Sequence, residues 1–176
     1  IRKQLLEYDD VANDQRKVVY AQRFELQQST EIAEVIGDLR REVVTNTITA
    51  HIPAESIEAQ WDLAGAANAL RNDFGVDMDV KAFMAENAAR KGIDLIDHVV
   101  DLLGAEYAAK EQQVGVETLR HIEKSVMMQM LDTHWREHLA AMDYMRQGIS
   151  LRSYAQKNPK QEYKREAFEL FTAMLD

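Results

Sequence analysis

The chain has 176 residues, 46% hydrophobic and 29% charged, with a formal net charge of −9 and no cysteine. This is globular composition and not that of a disordered chain, and the lack of cysteine excludes disulfides and thiolate metal sites. Only 7 glycines and 2 prolines interrupt it, so long helices are the natural reading and the expected fold class is all-α. No apolar run approaches the ~20 residues that span a bilayer, and no signal-peptide pattern is visible. The opening Ile1-Arg2-Lys3, without an initiator Met, reads as the start of a piece cut from a longer protein.

In chain order, Leu5, Ala12, Val19 and Leu26 recur at heptad spacing, with Tyr8 filling the intermediate position and Gln15 and Gln22 filling it less well. The pattern predicts one long helix with a mixed seam that packs on another helix. A break follows at Gln27-Gln28-Ser29-Thr30, where Ser29 or Thr30 is placed to cap a new helix and Glu31 and Glu34 suit its dipole. That second helix carries Ile32, Ile36, Leu39 and Val43 and is closed by Pro53. The weak helix formers Thr45-Asn46-Thr47-Ile48-Thr49 leave its end open. Beyond it, Trp61, Leu63, Leu70 and Phe74 predict a short helix ending near Gly75, and Val80, Phe83 and Met84 predict another. Gly92 precedes a longer helix with Ile93, Ile96, Val99, Val100 and Leu103. Residues 42–115 hold 13 acids against 5 bases, so they read as a small acidic lobe.

From about Val114 a long helix is predicted to reach Gln147, with Met127, Leu131, Trp135, Met142 and Met145 on one stripe. Arg146 suits its last turn and Gly148 its left-handed cap. After a loop, Asn158 caps a helix with Pro159 at its first position and Gln161 three residues beyond the cap. Tyr163, Ala167, Leu170, Phe171 and Met174 form its buried face. Together these make an αα-hairpin. The loop offers Ile149, Leu151 and Tyr154 among cations, and residues 144–165 hold six basic residues against one acid. Apolar groups ringed by charge suggest a contact surface. On the residues alone, folding back of the same side chains onto the hairpin or onto a missing domain is an equal reading.

His134-Trp135-Arg136-Glu137-His138 fits H-x-x-E-H, the inverted zinc-peptidase pattern. The two histidines, four apart on a helix, share a face, but His121 lies roughly 20 Å along the axis and cannot complete a site. Packing or hydrogen bonding in the hairpin is the commoner role for such residues. No phosphate-binding glycine loop, dinucleotide fingerprint or nucleophile elbow occurs. Tyr8-Asp9-Asp10 brings adjacent acids that point apart on a helix. Val126-Met127-Met128-Gln129-Met130 reads as a helical core stripe before a binding groove.

Three stretches carry a family resemblance. These are Leu5-Leu6-Glu7-Tyr8-Asp9-Asp10-Val11-Ala12-Asn13-Asp14-Gln15-Arg16, the segment Leu131-Asp132-x-x-Trp135 through His138-Leu139-Ala140-Ala141-Met142-Asp143-Tyr144, and Leu151-Arg152-x-Tyr154-Ala155-Gln156-Lys157-x-Pro159-x-x-Glu162-Tyr163-Lys164-Arg165-Glu166. They resemble the C-terminal helical region of SecA, the preprotein translocase ATPase of bacteria, over essentially the whole chain and most loosely in 53–115.

The resemblance implies three parts: 1–29, the end of the scaffold helix; 30–115, the helical wing; and 116–176, the two-helix finger, also described as a regulator of ATP hydrolysis. It places the fingertip tyrosine, which touches the translocating chain, on Tyr154; in this loop Ile149 and Leu151 are expected to add apolar contact and Arg152 and Lys157 to steer the tip toward channel or lipid. It implies the SecY channel complex, unfolded preprotein and acidic phospholipid as partners, along with the parent's own motor and preprotein-crosslinking domains. A homodimer is a further expectation, and specific nucleic acid is not expected. The expected location is cytoplasmic and peripheral on the cytoplasmic face of the bacterial inner membrane. The resemblance assigns ATP and Mg to motor domains, and zinc to a cysteine-rich tail, that this sequence does not include. ATPase activity is therefore expected of the parent, with no cofactor and no catalysis in this stretch. Apolar residues such as Leu5 and Val19, which lean on other domains in the parent, are expected to be exposed, swapped or paired with a second copy. Two alternatives stand beside this reading. One is a helical scaffold binding membrane or nucleic acid through the basic loop, and the other is a zinc peptidase built on His134 and His138.

Overall fold

The computed structural model describes residues 2–152 and 159–175, the side chains at 4, 150–152 and 159 excepted. The described residues are helical throughout, joined by turns: α1 (Arg2–Gln28), α2 (Ile32–His51), a 3-10 turn (Glu58–Gln60), α3 (Leu63–Phe74), α4 (Val80–Ala85), α5 (Gly92–Val114), α6 (Val116–Arg152) and α7 (Pro159–Leu175). The all-α expectation holds. The chain forms two compact units, one of Ile1–Thr30 with His121–Asp176 and the other Glu31–Arg120. The stretches 1–29 and 116–176, read from sequence as separate parts, thus largely share one unit.

The unit Glu31–Arg120 is built around Val44, Ile48, Ile52, Leu70, Val80, Leu95 and Val99, each at most 1% exposed. Its helix α2 continues through the threonine-rich run to His51. Two facts explain this. Val44 and Ile48 are fully buried. The hydroxyls of Thr45, Thr47 and Thr49 donate back to the carbonyls of Arg41, Val43 and Thr45 at 2.7, 2.9 and 2.8 Å. Burial of two large aliphatics, about 1.5–3 kcal/mol each, outweighs a propensity deficit of a few tenths per threonine. At the start of α2, Glu31 occupies the cap position instead of Ser29 or Thr30.

Aspartates start the shorter helices. Asp62 accepts from the Gly65 N–H and Asp79 from the Ala82 N–H, both at 2.9 Å. Asp94 turns back to accept from the Lys91 N–H at 2.7 Å. Each satisfies a donor that a helix start leaves without an intrahelical partner. Gly75 closes α3 with φ 67°, its N–H donating to the Arg71 and Leu70 carbonyls. Gly115, at φ 94°, separates α5 from α6.

In the other unit, α7 packs against α1. From Trp135 to Ile149 along α6, the partners on α7 run from Phe171 back to Tyr163, so the two helices are antiparallel, as the hairpin reading required. Partners of α1 advance from Tyr8 with Tyr163 to Val19 with Phe171, so α1 and α7 run parallel. Val19 is buried at 1% exposure, whereas Leu5 stands 45% exposed. The expectation of exposed scaffold residues therefore holds at Leu5 and fails at Val19, which α6 and α7 cover.

The helix α6 does not stop at Gln147. It passes through Gly148 to Arg152, and Gly148 is not among the glycines with positive φ. The reason is Ile149, 1% exposed and packed with Met142, Tyr163 and Ala167. Burying it is worth about 1.5–3 kcal/mol, against roughly 1 kcal/mol for a glycine inside a helix. Gly75→Ala should lower the stability of the Glu31–Arg120 unit by about 1–2 kcal/mol, because alanine resists the left-handed conformation. Gly104→Ala, inside α5 with nothing within 4 Å of the new methyl, should raise it by about 0.5–1 kcal/mol. Thermal melts of the two variants should shift in opposite directions.

Candidate functional site

The hairpin is fastened to α1 by a series of contacts that ascend the three helices together. At the end nearest the 153–158 connection, Glu7 of α1 pairs with Lys160 of α7. Tyr8 meets Tyr163 edge-on, with ring centroids 4.7 Å apart and planes at 88°. From α6, the Arg146 guanidinium lies 5.0 Å from the Tyr8 centroid and 3.9 Å from the Asp9 carboxylate. An edge-to-face pair is worth about 0.5–1.5 kcal/mol beyond its area, and a cation over a ring about as much. Burial pushes the Tyr163 phenol above its ordinary value, so it remains protonated. The Lys160 hydrogen bond holds the Glu7 carboxyl below the usual carboxylate range.

Higher up, the seam turns polar where it is most enclosed. Gln15 and His138 are 8% and 5% exposed. Gln15 Nε2 donates to the Ala167 carbonyl of α7 at 3.1 Å. Gln15 Oε1 then faces His138 Nε2 of α6 at 2.7 Å. An amide oxygen only accepts, so His138 carries its proton on Nε2. Burial lowers the His138 pKa, which keeps the ring neutral at pH 7. The ring is also wedged between Trp135, stacked at 5.6 Å, and Phe171, tilted at 5.4 Å. Above this level Val19 packs with Trp135 and Phe171, Arg23 pairs with Asp132 at 3.0 Å, and Lys124 Nζ donates to the Gln27 carbonyl at 3.3 Å.

The H-x-x-E-H pattern is thereby accounted for as packing. His138 is buried in a hydrogen bond, while His134 and Glu137 face outward. Among the described residues no group of three His, Cys, Asp or Glu is placed to hold a metal. The zinc-peptidase alternative has no support.

The five residues expected at the fingertip separate. Tyr154 and Lys157 lie outside the described residues. Leu151 and Arg152 form the last turn of α6, and their side chains are also outside the description. Ile149, expected to offer apolar contact at the tip, is buried against Met142 and Tyr163. Of the two readings open for it in the sequence, the structure has the one in which it folds back. A shallow groove of about 570 Å³ lies between α6 and α7, floored by Ala141, Met145, Gly148, Leu170 and Ala173 and flanked by Tyr144, whose side chain is 81% exposed. Sequence reasoning missed this groove and the polar relay. The signal for the relay was present, as Gln15 sits on the apolar stripe of α1.

These features define an all-α module in which a helical hairpin is zipped onto a long helix, with a small acidic lobe between the two in sequence. The family model of the SecA Wing and Scaffold domain matches residues 1–176, and the chain belongs to that family. Among its relatives is a protein translocase subunit SecA from Methylobacillus flagellatus, 54% identical over 176 residues. The subunit of the same name from Paraburkholderia phymatum is 53% identical over 176 residues, and that from Coxiella burnetii 50% over 175. Those alignments cover 100%, 100% and 99% of this chain, which spans 19% of the length of each relative.

The buried histidine makes this unit acid-sensitive in a defined window. Its pKa is lower in the folded chain, so the unfolded chain takes up the proton first as pH falls. The contribution is full above the ordinary histidine value of about 6.5 and is lost progressively below it. The lowered carboxyl of Glu7 acts in the same direction in this unit, and that of Asp62 in the Glu31–Arg120 unit, but only as pH falls through the carboxylate range. Denaturation midpoints should therefore fall between pH 7.5 and pH 5.5, and His138→Phe should flatten that segment of the profile.

Proposed function

We propose that this chain serves in a Sec protein-translocation motor as the element that carries displacement from α1 to the 153–158 connection. Tyr154 there contacts the moving polypeptide. The observation that carries this reading is the continuous fastening of α6 and α7 to α1, from Glu7 with Lys160 to Gln27 with Lys124. Helices tied at successive levels move together, so a push on α1 is delivered at the hairpin end.

A tyrosine is suited to that end. Its flat ring covers apolar surface while its hydroxyl stays wet, so it can engage many sequences without reading any one of them. Leu151 adds apolar contact, and Arg152 and Lys157 steer the tip toward acidic loops of the SecY channel or acidic lipid headgroups. Ile149 contributes from behind, by holding the final turn of α6 in place. On this reading ATP hydrolysis, with its Mg, belongs to motor domains in the rest of the full-length protein, and zinc to its tail. Unfolded preprotein is the cargo. No described helix is long and apolar enough to cross a membrane; on this reading the protein works peripherally on the cytoplasmic face of the inner membrane.

In the full-length protein, Tyr154→Gly should reduce preprotein transport into inverted membrane vesicles several-fold while leaving basal ATP hydrolysis near its normal rate. Transport at the normal rate in that variant would exclude the contact role.

A further inference from the structure

The seam of α1 is apolar at Tyr8, Val11, Ala12 and Val19, and apolar packing has no direction of its own. A helix in such a seam can settle at more than one axial position when nothing polar selects among them, as coiled coils with uniform cores do. The ion pairs at the two ends select weakly. Their side chains reach solvent: Arg23 and Asp132 are 39% and 41% exposed, Lys160 and Glu7 34% and 33%, and Arg146 and Asp9 29% and 63%. Long flexible side chains can follow a partner that has moved.

Gln15 differs from them in three respects. It is enclosed, it uses both ends of its amide, and its two partners lie on different helices. A shift of one helical turn, ~5.4 Å, would bring it beside Tyr163 or Phe171 in place of Ala167. Aromatic rings would then stand where a methyl now lets the amide reach a backbone carbonyl. On α6 the same shift would replace His138 with the level of Met142 or of Trp135. Both hydrogen bonds would be lost together, leaving the amide and the imidazole N–H buried without partners.

We propose that Gln15 is a positioning residue: by donating to the Ala167 carbonyl of α7 while accepting from His138 Nε2 of α6, it sets the axial register of the hairpin on α1. It thereby sets where the 153–158 connection is delivered. A buried polar group that costs stability yet selects one arrangement is the best-attested use of such residues in helical seams. The importance of register for transport rests on the function proposed above; the register lock itself does not.

The test uses the full-length protein with spin labels at two exposed positions of this unit, Lys17 on α1 and Phe168 on α7. Gln15→Met strands the His138 N–H and should lower the melting temperature. Gln15→Met with His138→Phe removes both partners and should restore much of that loss. If Gln15 sets register, the label-to-label distance, single and narrow with Gln15 present, broadens or gains a component displaced by about one turn in the double variant. Preprotein transported per ATP stays several-fold low even though stability has recovered. An unchanged single distance in the double variant overturns the lock. A displaced distance with normal transport removes the positioning role, and leaves the fingertip reading standing when Tyr154→Gly still blocks transport. Should the double variant fail to fold, Gln15→Leu alone is read by the same distance measurement, with the same two outcomes.

Discussion

One glutamine amide holds three helices at a single point. Around it the unit is conventional: small and large apolar residues interleave, tyrosines meet edge to face, and charged pairs decorate the rims. Those contacts stabilise association of α1, α6 and α7 without strongly favouring one alignment. The amide of Gln15 is satisfied only where Ala167 and His138 arrive at the same level. Other features follow from that alignment. Tyr8 then falls on Tyr163, Val19 falls between Trp135 and Phe171, and Ile149 drops into the space beside Met142 that carries α6 past its glycine.

Much of this was legible in the sequence, and the misses share a cause. The heptad stripe of α1, the antiparallel hairpin, the end of α3 near Gly75 and the acidic lobe were all visible from spacing and residue type. They depend on local chemistry. Gln15 was read as a weak place in the stripe, because one sequence shows that a polar residue sits on an apolar face without showing what meets it there. The stop expected at Gly148 failed for a related reason. Glycine after a basic last turn is a sound local signal for a helix end, but the burial of Ile149 depends on Met142 and Tyr163, and the latter is on another helix. The threonine run of α2 continues for the same reason, with Val44 and Ile48 buried beneath it. In each case a tertiary contact worth a few kcal/mol outweighed a local preference worth one or less.

The candidate site was legible to a different degree. A basic connection between two helices could be located from sequence, and the resemblance to SecA supplied a role for it. Ile149 was grouped with Leu151 and Tyr154 because all three are apolar and close in sequence. Ile149 is instead buried against Met142 and Tyr163, a contact that its sequence neighbours do not reveal. The H-x-x-E-H pattern shows the converse. Its spacing permits chelation, but one histidine is turned inward to an amide and the other outward to solvent.

The aspartates that open the helices of the Glu31–Arg120 unit give its acidity a particular character. Asp62, Asp79 and Asp94 work through an oxygen that accepts a backbone N–H, and asparagine at a helix start does that work about as well as aspartate. At Asp79 the charge is thus separable from the architecture it accompanies, whereas Asp62 also pairs with His51 at 3.1 Å. Replacing Asp79 with asparagine would remove one negative charge and leave an acceptor for the Ala82 N–H. Part of the −9 of this chain thus sits on groups whose structural work is done by an oxygen and not by its charge.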